Sequence, residues 1–327
     1  MERSAKTSLK IPNFYAEHPT TALNMMLNLS CHSANLKPID VALKKGYRKE
    51  RSQINVFVQA PFGEFKSTIF NFVSQHYPSI VLTDISFPKL VGSFDVKSRT
   101  VIPSACWEHR NKTIILDEFY FREGIINALL GLMEGREYSR AMARNLLKTT
   151  NRKDGDLYFK CSKTGWIKVK TRCNRIIGTM HDIVYSPHVT YDALVSRCIP
   201  IYYKLFPTQF KEILEGTHEL FNPLKFGEPL TQIEWNDVEY VWNVIANSDL
   251  AKYSYKYNLI PRTIGDCIRC FNILGKHNVD LYEFIISMKS YLPDVRWINW
   301  QLKAEKKQEK HEKKLKKKVF NKIAGKT

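Results

Sequence analysis

The sequence predicts an α/β fold, a mostly parallel sheet between helices, followed by a helical domain. Three observations carry this. Apolar runs rich in β-branched residues recur between residues 54 and 205 as INVFVQ, SIVLTDI, TIILDE, NRIIGTM and CIPIYYKL. Helical patterns such as EGIINALLGLMEG separate them, and strands alternating with helices imply a parallel sheet covered on both faces. Beyond Pro207 the β-branched runs give way to helical periodicity in FKEILEGTHELF, EWNDVEYVWNVIA, RTIGDCIRCFNIL and LYEFIISMKSYL.

The chain divides accordingly. Residues 1–50 contain Pro12, Pro19 and Pro38 and run into the charged stretch KKGYRKERSQ, which reads as a short helical lead-in and a linker with no core of its own. Residues 51–205 form the α/β core, and residues 206–302 the helical domain, with room for a small winged-helix-like element before the tail. Residues 303–327 are too poor in apolar positions to build a core and form a solvated helix or a disordered tail.

A length of 327 residues allows two or three domains, and 44% hydrophobic content excludes disorder throughout. No apolar run approaches the ~20 residues of a membrane helix, and the opening MERSAKTSLK leads into no signal segment. The expectation is an intracellular protein, cytoplasmic or at the nucleoid or nucleus, with no membrane partner. Seven scattered cysteines suggest no disulfide framework and fit a reducing compartment.

The net charge of +18 is unevenly placed: residues 303–327 hold 11 Lys and 3 Glu, and the short segment from Leu157 to Arg175 carries four Lys, two Arg and no acid. A Lys-rich tail is ordinarily a solvated charge run, with nucleic-acid contact the sharper alternative.

Between the first strand of the core and the next helix stands Ala60-Pro61-Phe62-Gly63-Glu64-Phe65-Lys66-Ser67-Thr68. A phosphate-binding loop needs backbone N–H groups turned towards the anion, a Lys to reach the outer phosphates and a Ser or Thr hydroxyl for Mg²⁺. Lys66 and Ser67 fit, although Ala60 and Phe65 stand where the first and last glycines usually do; the plain alternative is a surface turn. The partner motif Thr113-Ile114-Ile115-Leu116-Asp117-Glu118 begins 47 residues after Lys66 and reads as a buried strand whose tip places two carboxylates beside that loop. Asp117 would hold the Mg²⁺ shell and Glu118 would polarise the attacking water.

With these two motifs the chain resembles the AAA+ ATPases, and within them the minichromosome maintenance (MCM) helicase group, over roughly residues 54–275. The resemblance implies an AAA+ P-loop core with a C-terminal α-helical lid, ATP and Mg²⁺ as cofactors, and a homo-oligomeric ring, hexameric in the family. It assigns sensor 1 to the strand Arg175–His181, with Thr179 as the residue and His181 as the fallback. Ala193-Leu194-Val195-Ser196-Arg197-Cys198 is similar to the family's L-x-S-R segment, making Arg197 an arginine finger for a neighbour's nucleotide. Pro261-Arg262-Thr263-Ile264-Gly265-Asp266 is similar to the lid segment with sensor 2, on Arg262, with Arg269 a weaker candidate that caps or solvates the helix. Pro88–Val96 is loosely similar to the stretch where MCM proteins carry a helix insertion.

Between the acidic motif and sensor 1, the alternating runs LYFKC and WIKVK flank the turn Ser162 to Gly165 and predict a β-hairpin. A hairpin at this place marks one superclade of AAA+ proteins and implies single-stranded DNA in a central pore, contacted by Lys163 at the tip and by Lys160, Lys168 and Lys170. The alternative is an edge hairpin kept soluble by Lys. Cys267-Ile268-Arg269-Cys270 has metal-ligand spacing but no second pair, so these read as small core residues; Cys31-His32 is equally weak. The function expected is a Mg²⁺-dependent ATPase moving on or unwinding DNA in replication, with a replication partner protein. The alternatives are a non-translocating AAA+ switch or loader and a poorly hydrolysing nucleotide-binding scaffold.

Overall fold

The computed structural model describes residues 19–83, 85–95, 100–102, 104–109, 112–119, 123–134, 138–141, 166–169, 175–179, 193–194, 197–246 and 260–274. In chain order these give α1 (Pro19–Ser33), β1 (Ile39–Ala42), β2 (Tyr47–Glu50), β3 (Val56–Gln59), α2 (Lys66–His76), β4 (Ser79–Thr83), α3 (Phe87–Val91), β5 (Ser93–Asp95), β6 (Thr100–Ile102), α4 (Ala105–Glu108), β7 (Thr113–Asp117) and α5 (Glu123–Met133). There follow β8 (Tyr138–Ala141), β9 (Trp166–Val169), β10 (Arg175–Thr179), β11 (Ile199–Tyr202), α6 (Pro207–Leu214), β12 (Gln232–Ile233), α7 (Trp235–Ala246) and α8 (Ile260–Leu274).

The five apolar runs of the core form one five-stranded sheet in the order β11-β3-β10-β7-β4, and every neighbouring pair in it is parallel. Side chains alternate faces along a strand, so a sheet covered on both sides buries both sets. Val56, Val58, Ile115, Ile176 and Ile201 face one apolar cluster with Ile69, Phe70 and Val73 of α2 and Leu23 and Leu27 of α1. Phe57, Ile114, Leu116 and Ile177 face the other, with Leu90 of α3, Ala105 of α4 and Ile125, Ala128 and Leu129 of α5. The fold is thus α/β, a parallel sheet flanked by helices. Because all five strands run the same way, their C-terminal ends line up along one edge, where β3 meets the predicted phosphate loop and β7 meets the acidic pair.

The structure differs from the sequence expectation at residues 19–50, which are not a coreless lead-in and linker. Leu23, Leu27 and Leu29 of α1 are fully buried, and β1 and β2 form an antiparallel hairpin. β12, a two-residue strand from the region read as helical, pairs parallel with β1, so the N-terminal segment and that region share a three-stranded sheet. Polar groups complete the joint: Asn28 Nδ2 donates to the carbonyl of Asn222, and Leu224 N donates to Asn28 Oδ1. The stretch Pro88–Val96 falls on the short helix α3 and on β5, which pairs with β6, as far as its residues are described. Among the described residues no helix is long and apolar enough to cross a membrane.

Candidate nucleotide site

Lys66 opens α2, and its ammonium lies within 3.9 Å of Asp117 at the tip of β7. Both side chains are buried, at 6% and 4% exposure, although β10 lies between β7 and β3, the strand that leads into α2. Burial pushes the Lys66 ammonium below its ordinary pKa, and the charges of Asp117 and then Glu118 oppose that shift. Ser67 and Thr68 are exposed in the first turn of α2, and no side chain caps the helix. An uncapped helix start beside a buried Lys is a place for an anion. The same edge holds Thr179 at the end of β10, in register with Gln59 of β3.

Two non-glycine residues with positive φ among those described both lie here: Phe65 at 56° and Glu118 at 53°. Phe65 holds the position where a glycine is usual, and the backbone adopts the left-handed conformation that glycine takes without cost. Its ring packs on Phe210 of α6, with centroids 5.5 Å apart. Glu118 N donates to Asp117 Oδ1 at 2.9 Å, which turns the chain sharply at the strand tip. Strained backbone of this kind concentrates at functional sites.

Sequence reasoning placed Glu64 in the loop without its burial, and gave Tyr203 and Gly178 no part in shaping the site. Glu64, in the middle of the loop, is buried: its Oε2 accepts from Leu205 N at 2.7 Å, and its carbonyl accepts from the Tyr203 hydroxyl at 2.5 Å. The loop is therefore tied to the chain leaving β11. Gly178 of β10 admits Phe70 and Lys66, since a β-carbon there would lie 2.4 Å from the Phe70 ring and 3.3 Å from Lys66 Cδ. A glycine inside a strand pattern is the signal for such a close approach. Of the remaining loop residues, Ala60 is fully buried, Pro61 is half-buried, Phe62 is 70% exposed and Gly63 takes a φ of 79°.

Arg197 and Arg269 are paired with acids elsewhere. Arg197 precedes β11, at the N-terminal edge of the sheet, and its Nε is 2.6 Å from Glu134 Oε1. Arg269 neither caps nor solvates α8: it is buried, paired with Asp266 one turn earlier and with Glu50 of β2 at 3.1 Å. That cluster also borders the N-terminal edge, because Arg51 stands beside Arg269 and Asp266 just ahead of β3. Arg262 lies on α8, seven residues or roughly 10 Å along the helix from Arg269.

Of the predicted basic hairpin, Trp166–Val169 with Lys168 forms β9, and its partner in the structure is β8, Tyr138–Ala141. Lys160, Lys163 and Lys170 lie outside the described residues, as does His181. Cys267 and Cys270 are fully buried, and burial raises both thiols, which agrees with the core reading of that motif. Cys31 is likewise buried and pushed up to about 12. Among the described residues no group of three or more His, Cys, Asp or Glu side chains could hold a metal ion by itself.

Sheet and site together define an α/β protein whose parallel sheet presents, at its C-terminal edge, a helix start, a buried Lys and a pair of acids in an arrangement compatible with a P-loop-like core. No protein-family model matches the chain, and no curated protein matches it.

Proposed function

We propose that the chain is an MCM-like AAA+ ATPase that assembles into a ring, hexameric by resemblance, and couples Mg²⁺-dependent ATP hydrolysis to movement on DNA in replication. The observation that carries the reading is the buried pairing of Lys66 with Asp117 across the sheet edge, with Glu118 held beside it at positive φ. The donor set suits Mg²⁺, which takes few protein ligands and leaves the rest to water and phosphate: Ser67 and Asp117 would hold it, and its charge would neutralise the phosphates of bound ATP. Lys66 and the open N–H groups of α2 bind and orient the phosphates. Glu118 accepts a proton from the attacking water on its carboxylate, and Thr179 lies at the strand end between the two motifs. Arg197, remote from its own loop, serves a neighbour's nucleotide; Arg262 is the sensor on the lid; Lys163, with Lys160, Lys168 and Lys170, contacts the strand in the pore.

The test is the ATPase rate with and without single-stranded DNA. Lys66→Ala should weaken ATP binding, whereas Glu118→Gln should preserve binding and lower turnover by about 10²-fold or more, because Glu118 acts only in the chemical step. Normal turnover by Glu118→Gln would remove Glu118 from the site, and a rate indifferent to DNA would remove the coupling. A second reading, a nucleotide-binding scaffold with slow hydrolysis, is favoured by Phe65 in a glycine conformation and by Arg197 held by Glu134 within its own chain. ATP binding without turnover in the wild-type protein would select it.

A further inference from the structure

The hairpin of β1 and β2 carries a charge and an aromatic group that its fold does not require. Leu43 to Lys49 are all exposed, and among them are Lys44, Lys45, Arg48 and Lys49 with no acid. The turn is closed by Leu43 N donating to Gly46 O at 2.8 Å, with Gly46 at a φ of 89°, so the tip has a fixed form. The nearest acid in sequence, Glu50, is shared: it lies 3.1 Å from buried Arg269 and 3.6 Å from Arg48. Among the described residues β2 is the outer strand of its sheet. Lysines on an edge strand guard against aggregation, but that purpose needs no aromatic ring. Tyr47 stands among these cations at 57% exposure, and its hydroxyl accepts from Gln232 Nε2 at 2.8 Å. The ring is pinned at its polar end while its face stays open.

The geometry points to this hairpin tip as a binding site for single-stranded nucleic acid, independent of the ATPase reading. Lys44 and Lys45 at the turn and Lys49 on the Tyr47 face, where Asp40 stands across from Lys49, meet the phosphates together with Arg48 from the other face of β2, and a base stacks on Tyr47. Cations spaced along a strand supply sequence-tolerant affinity, and a held ring supplies a stacking face that any base can use. The ring also separates a single strand from the other anionic surfaces four cations would attract, because the bases of a duplex and the headgroups of a lipid layer offer it nothing to stack on.

The test is fluorescence anisotropy of a labelled oligothymidylate with the full chain, over a range of salt concentrations. The variant Lys44→Ala/Lys45→Ala/Arg48→Ala/Lys49→Ala should bind more weakly and show a shallower salt dependence, the slope falling by about 0.7 for each phosphate no longer neutralised. Tyr47→Leu should weaken binding about tenfold and leave the slope in place, because it removes stacking and no charge. All these side chains are exposed, so thermal unfolding should match the wild type and certify the fold. The proposal is overturned if the quadruple variant keeps wild-type affinity and slope, which would place binding elsewhere on the chain. It is equally overturned if Tyr47→Leu binds the oligonucleotide as wild type does, or if the quadruple change affects binding only to duplex DNA or anionic phospholipid vesicles.

Discussion

Replacing Gly178 by Ala should loosen α2 from the sheet. The added β-carbon would lie 2.4 Å and 2.8 Å from two ring carbons of Phe70, and 3.3 Å from Lys66 Cδ. Phe70 is fully buried in the cluster between α2 and the sheet, so its ring has no open direction in which to swing. Either α2 backs away or β10 bends, and overpacking of this kind costs about 1–3 kcal/mol. For a chain of 327 residues that corresponds to a midpoint lowered by about 1–5 °C. Gly131→Ala is the matched control: nothing lies within 4 Å of its added β-carbon, and it sits inside α5, where the exchange should stabilise by about 0.4–1 kcal/mol. Thermal or urea unfolding of the two variants should therefore move in opposite directions. Phe70→Leu on the Gly178→Ala background should recover part of the loss by removing the atoms in the way. If Gly178→Ala is as stable as wild type, α2 does not rest on β10 at that point and the placement of Lys66 needs another explanation.

Two further outcomes follow from the same site. At Phe65 the usual ranking should reverse: Phe65→Gly and Phe65→Ala both give up the packing on Phe210, but only Gly escapes the positive φ, so the Gly variant should be the more stable by about 1–2 kcal/mol in urea unfolding. The Ala variant proving more stable would mean that the left-handed turn is absent. For Lys66 the folded pKa lies below the ordinary 10.5, so between the two values the unfolded chain binds more protons. Its burial penalty is full below that window and is relieved as pH rises through it. Wild-type stability minus that of Lys66→Met should thus climb with alkaline pH, and a flat or falling difference would contradict the depressed pKa.

What was legible in the sequence follows from burial. The five sheet strands are covered on both faces, so they read as continuous apolar runs, and the helical patterns between them implied a parallel sheet but not its strand order. Lys66, Asp117 and Glu118 stood out because motif residues sit at strand ends. The N-terminal segment did not, because α1 buries polar side chains among its apolar ones. Ser30 donates to the carbonyl of Ile54, Ser33 accepts from Ile54 N, and Asn28 is bonded to Asn24 and to the 222–224 segment. Hydropathy scores such residues as surface, whereas their partners lie up to 196 positions away. β12 was invisible for a related reason: two residues have no period, and the pairing of Gln232 with Asp40 is fixed only once the chain has folded back. The positive φ of Phe65 and the burial of Glu64 are likewise properties of tertiary context.

The two arginines on the far edge bear on how one chain could use its own nucleotide. β3 has four residues, so at about 3.3 Å per residue its ends are ~13 Å apart. Arg197 and Arg269 both stand by the N-terminal edge, and both are already held, by Glu134 and by Asp266 with Glu50. Neither can reach a phosphate bound at Lys66 of the same chain. On the proposed ATPase reading, and among the described residues, positive charge for the transition state would come from Lys66 itself, from Arg262 on α8, or from another subunit. If the donor is Arg197 of a neighbour, that side chain has to leave Glu134, and a half-buried carboxylate stripped of its partner is costly. The contact between subunits must offset that loss, so the Arg197–Glu134 pair would hold an isolated chain in a state that hydrolyses poorly until a second chain docks.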